Sequence, residues 1–160
     1  MKLQFEDIIA EGAPALRAVL VEADVTNNAT DDALWAEVES AAATIKDTCR
    51  MEDVNKRPAI AATRAAYKRF GKEPNRYRPS AEALCRRSVK GLELYRTLSV
   101  IDLINVLSIE TGHSIGGFDA DKIEGDTLTL GVGRHEEPYE AIGRGMLNIE
   151  GMPVWRDTVG

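Results

Sequence analysis

Positively charged side chains are concentrated in the middle of this chain, although the chain as a whole is acidic. The formal net charge is −6 at pH 7, from 20 lysines and arginines against 26 aspartates and glutamates. Residues 56–96 contain 12 of the basic residues and 3 of the acidic ones, which makes this segment +9 and the remainder −15. Clustered lysine and arginine side chains bind phosphates because they displace condensed counterions. The segment is therefore a candidate polyanion-binding surface.

Two interpretations of this charge pattern are open from the residues alone. The acidic and basic segments can face each other as solvated ion pairs, each worth about 0–1 kcal/mol. Arg78 and Arg87 would then bridge to carboxylates, for example those of Glu82 or Asp102. Alternatively, the cations face solvent and bind nucleic acid, while interleaved aromatic side chains stack on bases. The cations selected for phosphate contact on this second interpretation are Arg64, Lys68, Lys72, Arg76, Arg78, Arg86 and Arg87.

Few other residues have the spacing of a catalytic or metal site. Cys49 and Cys85 fit neither a zinc-ligand spacing nor a CxxC redox pair, so we expect free thiols. With only two histidines, His113 and His135, the chain is not expected to hold a metal or a cofactor. The sequence shows no catalytic triad order, nucleophile elbow, Walker loop or Rossmann fingerprint. Ser114 is a catalytic candidate, because it lies beside Gly112, Gly116 and Gly117 in a stretch whose backbone N–H groups can stabilise the oxyanion of ester hydrolysis.

The elements that would position these residues begin with a strand and two helices. Residues 17–25, RAVLVEADV, alternate between apolar and other side chains and predict a β-strand. Thr30 is the predicted N-cap of a helix over residues 31–50, in which apolar residues recur every three or four positions. Pro58 suits the first turn of a second, alanine-rich helix that ends near Gly71.

Two further helices and several short strands complete the predicted fold. Ser80 is the predicted cap of a helix over residues 81–90. Ser99 and Asp102 resemble a capping box before a helix that is apolar around most of its circumference and is therefore expected at the centre of the core. After His113, short glycine-punctuated segments predict antiparallel strands and tight turns; they are DTLTLGVG at 126–133, EPYEAIG at 137–143 and GMPVWRD at 151–157. We expect one α+β domain over residues 1–160, with helices packed on a mainly antiparallel sheet that includes the early valine-rich strand.

No membrane span or export signal is recognisable in the sequence. No apolar run approaches the 18 or more residues that a transmembrane helix needs. The first residues, MKLQFED, carry acids where a secretory signal would continue into an apolar run. We expect a cytoplasmic protein with no membrane partner, and the sequence does not predict its oligomeric state.

Three motifs resemble one known family. They are YKRFGKEPNRYRPSAEALCRRSVKG at residues 67–91, LSVIDLINVLSIETG at 98–112 and GGFDADKIEGD at 116–126. Together they resemble the stand-alone relatives of the B3/B4 domain, the tRNA-binding and editing domain of the phenylalanyl-tRNA synthetase beta subunit. The resemblance covers residues 57–126 well. The residues that match the family's motifs are Phe70, Gly71, Pro74, Tyr77, Arg78, Ser80, Glu82, Ala83, Leu84, Arg86, Arg87, Asp102, Leu103, Asn105, Gly116, Gly117, Asp119, Asp121, Lys122 and Ile123.

The resemblance implies a B3/B4-like fold, a tRNA partner and a substrate pocket. In the synthetase, the domain hydrolyses tyrosine wrongly joined to the phenylalanine tRNA. The pocket residues that the resemblance implies here are Asn105, Gly116, Gly117 and Asp119. The family's site histidine falls on Gly116, so the resemblance makes His113, three residues earlier, the catalytic candidate that would replace it. The family continues with further sheet and helix after the segment that matches GMPVWRDTVG, so we expect this chain to lack the last strands and helix.

Two functions follow as hypotheses. The first is binding of tRNA or aminoacyl-tRNA, with hydrolytic editing of mischarged tRNA in trans as an activity to be tested. An enzyme of this kind would be an aminoacyl-tRNA ester hydrolase, in which water attacks a positioned and polarised ester. The alternative is a non-catalytic module that binds an amino acid or a similar small molecule, with the basic segment neutralised by the protein's own acids. Neither function is expected to need a cofactor.

Overall fold

The structure, a computed structural model, describes residues 1–141 and 145–160 and contains helices and short strands. The described helices are α1 (Asp7–Gly12), α2 (Asp32–Thr48), α3 (Pro58–Arg69), α4 (Ser80–Val89) and α5 (Ser99–Thr111). The described strands are β1 (Lys2–Phe5), β2 (Thr127–Val132), β3 (Glu140–Ala141), β4 (Gly145–Met146) and β5 (Pro153–Arg156). The predicted α+β class is confirmed.

Contacts between residues divide the chain into two compact units. The first comprises Met1–Glu22, Ala65–Pro74 and Asp119–Gly160, and the second comprises Ala23–Arg64 and Asn75–Phe118. The first unit contains the strands, and the second contains α2, α4 and α5. One domain over residues 1–160 stays a prediction.

The sheet of the first unit is mixed rather than purely antiparallel. Strand β2 is central and pairs in parallel with β1 and antiparallel with β5. Leu128 and Leu130 of β2 are buried, and α1 packs on this strand with Ile9 fully buried. The predicted segments at 126–133 and 151–157 contain β2 and β5, whereas β1 was not predicted. The segment predicted at 137–143 contains β3, and its last two residues lie outside the described part of the chain. A separate antiparallel pair joins β3 and β4.

The core of the second unit lies between α2, α4 and α5. Val38 and Ile45 of α2 are buried, as the apolar spacing of that helix predicted, and Cys85, Val106 and Ile109 pack with them. The expectation that α5 is central holds for one face only. Three of its apolar side chains, those of Ile101, Leu103 and Leu107, are 41–48% exposed. High overall hydrophobicity does not bury a helix when neighbouring helices cover only one of its faces.

Residues 17–25 do not form the predicted β-strand. They have no regular secondary structure, and Val19 and Val21 are 88% and 81% exposed. Apolar alternation favours a strand only where a neighbouring strand supplies hydrogen-bond partners. Within residues 1–141 and 145–160, no strand pairs with this segment. The strand that does add to the sheet early in the chain is β1.

Helix caps also differ from the sequence prediction. The side chain of Asp31, not Thr30, caps α2 by accepting a 2.8 Å hydrogen bond from the Leu34 N–H. The Thr30 hydroxyl instead donates to the buried carboxylate of Asp102. Ser80 is the first residue of α4 rather than its cap. Ser99 is likewise inside α5, which begins without a side-chain cap.

Candidate functional site

Two of the predicted phosphate-binding cations hold a buried carboxylate. Glu82 is fully buried and accepts a 2.8 Å hydrogen bond from Arg64 Nη1 and another of 2.8 Å from Arg86 Nε. The second guanidinium branch of Arg64 donates to the Asn75 side chain at 2.6 Å. These contacts connect α3, α4 and the loop between them. Arg64 and Arg86 therefore stabilise the fold of the second unit.

A third predicted cation, Lys72, is bonded to backbone oxygens of the first unit. Its ammonium group donates to the carbonyl groups of Asn148 at 3.0 Å and Glu150 at 2.7 Å. Only 6% of Lys72 is exposed. The chain runs so close at this point that a Cβ on Gly151 would lie 2.8 Å from the Phe70 carbonyl oxygen. Lys72 joins the segment after α3 to residues 148–150.

The remaining predicted cations are accessible to a ligand. Lys68, at the end of α3, and Arg76 and Arg78, in the loop before α4, are all exposed, and Arg69 beside Lys68 is exposed as well. None of these four forms an ion pair with a carboxylate of the described residues. The guanidinium carbon of Arg76 lies 5.3 Å from the centre of the Tyr77 ring.

Some other exposed lysines form ion pairs with carboxylates, in contrast to these four cations. The ammonium group of Lys56 lies 2.7 Å from a carboxylate oxygen of Asp53, and that of Lys122 lies 3.8 Å from Asp119. The protein's own acids thus neutralise part of its positive charge. They leave the end of α3 and the loop before α4 unneutralised within the described chain.

Arg87, the last predicted cation, is half-buried and contacts an aromatic ring. Its Nε donates to the Glu93 carbonyl at 2.6 Å, and its guanidinium carbon lies 4.4 Å from the centre of the Tyr95 ring. The alternative in which Arg78 and Arg87 bridge to carboxylates such as Glu82 or Asp102 is wrong, since neither forms an ion pair with a described carboxylate. Both oxygens of the Glu82 carboxylate are already bonded by the guanidinium groups described above.

The predicted pocket residues occupy different kinds of position. Asn105 is half-buried on α5, whereas Gly116 and Gly117 are exposed in an irregular segment. A Cβ on Gly117 would lie 3.2 Å from Cδ1 of Ile104, so glycine allows this segment to approach α5 closely. The Asp119 carboxylate caps a short turn, where it accepts a 3.2 Å hydrogen bond from the Asp121 N–H. A substrate-binding role for these residues stays a prediction.

The two catalytic candidates lie directly after α5. His113 and Ser114 are both exposed, and the backbone N–H of His113 donates to the Thr111 hydroxyl at 3.2 Å. Gly112 has a φ of 77° and ends the helix in the left-handed conformation that glycine adopts readily. The resulting loop supplies backbone N–H groups, but Gly116 provides no side-chain base where the family has histidine.

A cavity that the sequence did not indicate lies against α2 and α5. Its volume is about 180 Å³, and its lining includes three hydroxyl side chains of α2, those of Ser40, Thr44 and Thr48. Arg57 also lines it, and its guanidinium group donates to the Ile109 and Glu110 carbonyls, each at 2.7 Å. These are carbonyl groups at the C-terminal end of α5, where a cation is favourable. Nothing in the local sequence marks Arg57 for this role, because its partners are more than 50 residues away.

Both cysteines are free, and one is deep in the second unit. The Cys85 thiol is fully buried, and burial raises its pKa. Arg57 Nη1, 2.9 Å from the sulfur, opposes that shift. Within the described residues, no group of three or more histidine, cysteine, aspartate or glutamate side chains is placed to hold a metal ion.

Comparison with known proteins identifies the family. A model of the B3/4 domain family matches residues 62–160, and the chain therefore belongs to this family. No curated protein and no solved structure matches the chain. The B3/4 domain occurs in phenylalanyl-tRNA synthetase beta subunits, which supports binding related to tRNA. No helix in residues 1–141 or 145–160 is long and apolar enough to cross a membrane.

Proposed function

We propose that the protein binds tRNA, or the aminoacylated end of a tRNA. The cations that would bind its phosphates are Lys68, Arg69, Arg76, Arg78 and Arg87. The observation that carries the proposal is that the first four are exposed and unpaired with any described carboxylate, in a chain whose net charge is −6. Membership of a family that occurs in a tRNA synthetase subunit supports the same partner.

Existing hydrogen bonds explain why we assign phosphate binding to the exposed cations and a structural role to the buried ones. Arg64, Lys72 and Arg86 each donate to two protein oxygens, so a phosphate would have to break those bonds before it could bind. Arg87 donates to one, through Nε, and no described residue accepts a hydrogen bond from its Nη groups, which leaves them for a phosphate. An exposed, unpaired cation has no such cost, and it gains affinity by displacing counterions from the phosphate backbone. Aromatic side chains beside the cations, such as Tyr77, add contact area for bases or riboses.

Hydrolysis of a mischarged aminoacyl-tRNA is the finer form of the proposal. The ester would lie near Asn105, Gly116 and Gly117, and water would be the nucleophile. With glycine at position 116, His113 is the remaining basic side chain of that loop, and backbone N–H groups would polarise the ester carbonyl. The test measures the release of tyrosine from phenylalanine tRNA that has been mischarged with tyrosine. A rate equal to that of a buffer control would limit the function to binding.

A charge-matched pair of variants tests the binding proposal. Arg76→Gln/Arg78→Gln removes two unpaired cations, whereas Lys56→Gln/Lys122→Gln removes two cations that are already paired. If each phosphate contact is worth about 0.5–1 kcal/mol, the first double variant weakens tRNA binding roughly 5- to 30-fold. The second double variant, with the same net charge, should change affinity less than about twofold. Fluorescence anisotropy with labelled tRNA measures both.

Equal effects of the two double variants would mean that only net charge matters, and the proposed surface would be wrong. The alternative function, an amino-acid binding module, makes a different prediction. Calorimetry would then detect free amino acid binding, while tRNA would not bind at moderate salt.

A further inference from the structure

An exposed tyrosine after the C-terminal end of α4 has one face of its ring covered by a guanidinium group. Tyr95 is 71% exposed, and the Arg87 guanidinium carbon lies 4.4 Å from its ring centre. The Glu93 carbonyl accepts a 2.6 Å hydrogen bond from Arg87 Nε, which fixes the guanidinium in place. Because a single cation covers only one face of a ring, the high exposure of Tyr95 leaves the opposite face open.

Two lysines lie in the segments that surround this stacked pair. The N–H groups of Gly91 and Leu92 donate to the Ser88 and Arg87 carbonyls, and this turn reverses the chain after α4. A Cβ placed on Gly91 would lie 3.3 Å from the ammonium nitrogen of Lys46, so this lysine of α2 reaches the turn. Lys90, next to Gly91, is exposed.

These cations are unpaired in the described part of the chain. Neither lysine forms an ion pair there, and Arg87 is bonded to a backbone carbonyl rather than to a carboxylate. The surface around the turn therefore combines three positive charges with one open aromatic face. We call the set of Lys46, Arg87, Lys90 and Tyr95 the α4 stacking cluster.

We propose that the α4 stacking cluster binds single-stranded RNA, with one unpaired base stacked on the open face of Tyr95. Lys46 and Lys90 would bind the phosphates on either side of that base. This inference rests on the proposed function and names an element of it that recognises bases. Stacking on an aromatic ring tolerates any base, because every base has a π face. A base inside a duplex is already covered by its neighbours, so the cluster should select single strands.

An acidic polypeptide is the competing occupant, because carboxylates would also bind the cations. Such a partner makes no use of the open ring face of Tyr95. The contribution of the ring, separated from that of the charges, therefore decides between the two partners. Tyr95→Leu removes the π face and leaves all charges in place, whereas Tyr95→Phe keeps the ring and serves as the matched control.

The experiment measures the affinity of the full chain for four labelled polyanions at one salt concentration. They are a single-stranded RNA, a duplex RNA of the same length, a single strand of equal charge that lacks bases, and poly-glutamate. Tyr95→Leu is expected to weaken single-stranded RNA binding about 5- to 150-fold, in line with the loss of one stacked base. Tyr95→Phe should stay within about twofold of the wild type. Binding of the strand without bases should be the same in all three proteins.

A second variant tests the charges of the cluster. Lys46→Gln/Lys90→Gln is expected to weaken binding of the strand with bases and the strand without them by the same factor. Circular dichroism and thermal unfolding of each variant establish that it is folded as the wild type is.

Three results would overturn the inference. They are an unchanged affinity of Tyr95→Leu for single-stranded RNA, an equal loss for the strand without bases, and poly-glutamate binding as tight as RNA binding. If RNA still binds while Tyr95 makes no difference, only the stacking cluster is refuted. If the wild type binds no RNA, the proposed function fails as well.

Discussion

Replacing Glu82 by glutamine removes the negative charge that two arginines share. The carboxylate is fully buried, and Arg64 and Arg86 each donate to it at 2.8 Å. An amide oxygen can still accept from one guanidinium group, but the NH₂ group then faces the other guanidinium as a second donor. Glu82→Gln therefore leaves one arginine without its acceptor and both without a counter-charge.

The magnitude follows from how little water reaches the three side chains. Removing one partner of a buried ion pair costs about 3–5 kcal/mol, because an uncompensated charge remains inside the protein. The side chain of Arg64 is 11% exposed and that of Arg86 is 21% exposed, so water can partly solvate the freed charge. We therefore expect a loss near the lower limit, about 3 kcal/mol in the free energy of unfolding.

Urea unfolding followed by circular dichroism measures this loss. With a urea dependence of about 1–3 kcal/mol per M, the midpoint should fall by roughly 1–3 M. Glu37→Gln is the matched control, since Glu37 is an exposed helical residue and its replacement should cost less than about 0.5 kcal/mol. If Glu82→Gln shifted the midpoint no further than Glu37→Gln does, the buried carboxylate would not be needed to hold the two arginines.

Three further predictions concern other parts of the chain. Hydrogen bonds from Arg156 lower the pKa of Glu137. The contribution of these bonds to stability is therefore present above the ordinary carboxyl pKa and is lost as pH falls through the lowered pKa. The difference in unfolding free energy between the wild type and Glu137→Gln should accordingly shrink in acid. A difference that grows in acid would contradict this. Cys85 is buried, and burial raises its pKa, so a thiol reagent at pH 8 should modify the half-buried Cys49 first and reach Cys85 only on unfolding. Mass spectrometry of peptides measures the order of modification, and the reverse order would refute this prediction. Gly133→Ala should lower the free energy of unfolding by about 1–3 kcal/mol, because the new Cβ would clash with the Ile149 carbonyl oxygen. An unchanged thermal midpoint would count against that close approach.

The sequence predicted most helices because their signals are local. The apolar spacing of α2, the proline that begins α3 and the glycine that follows α4 all act within a few residues, and these helices form close to where they were predicted. Strands β2 and β5 were predicted for the same reason, since glycine turns flank them. The residues at the start of α2 do not by themselves show whether Thr30 or Asp31 caps the helix. The choice depends on Asp102, which is 72 residues from Thr30 and takes its hydroxyl.

The sequence alone could not distinguish the cations that stabilise the fold from those that are accessible to a ligand. Arg64 and Arg78 look equivalent in a charge count, but Arg64 meets a carboxylate 18 residues away and Arg78 meets none among the described residues. Lys72 reaches a carbonyl 78 residues away. Such pairings depend on tertiary contacts, which have no local signature. The strand predicted at residues 17–25 is absent for the same reason, because a strand needs a pairing partner that the segment itself does not supply.

The salt dependence of tRNA affinity tests the central claim most directly. If Lys68, Arg69, Arg76, Arg78 and Arg87 each neutralise one phosphate, the logarithm of affinity should fall against the logarithm of salt with a slope of about −3.5 for single strands and −4.5 for duplex. Arg76→Gln/Arg78→Gln should reduce the steepness by about 1.4–1.8, and Lys56→Gln/Lys122→Gln should leave it unchanged. A slope near zero, or one that both double variants change equally, would contradict the claim that these exposed cations bind RNA phosphates.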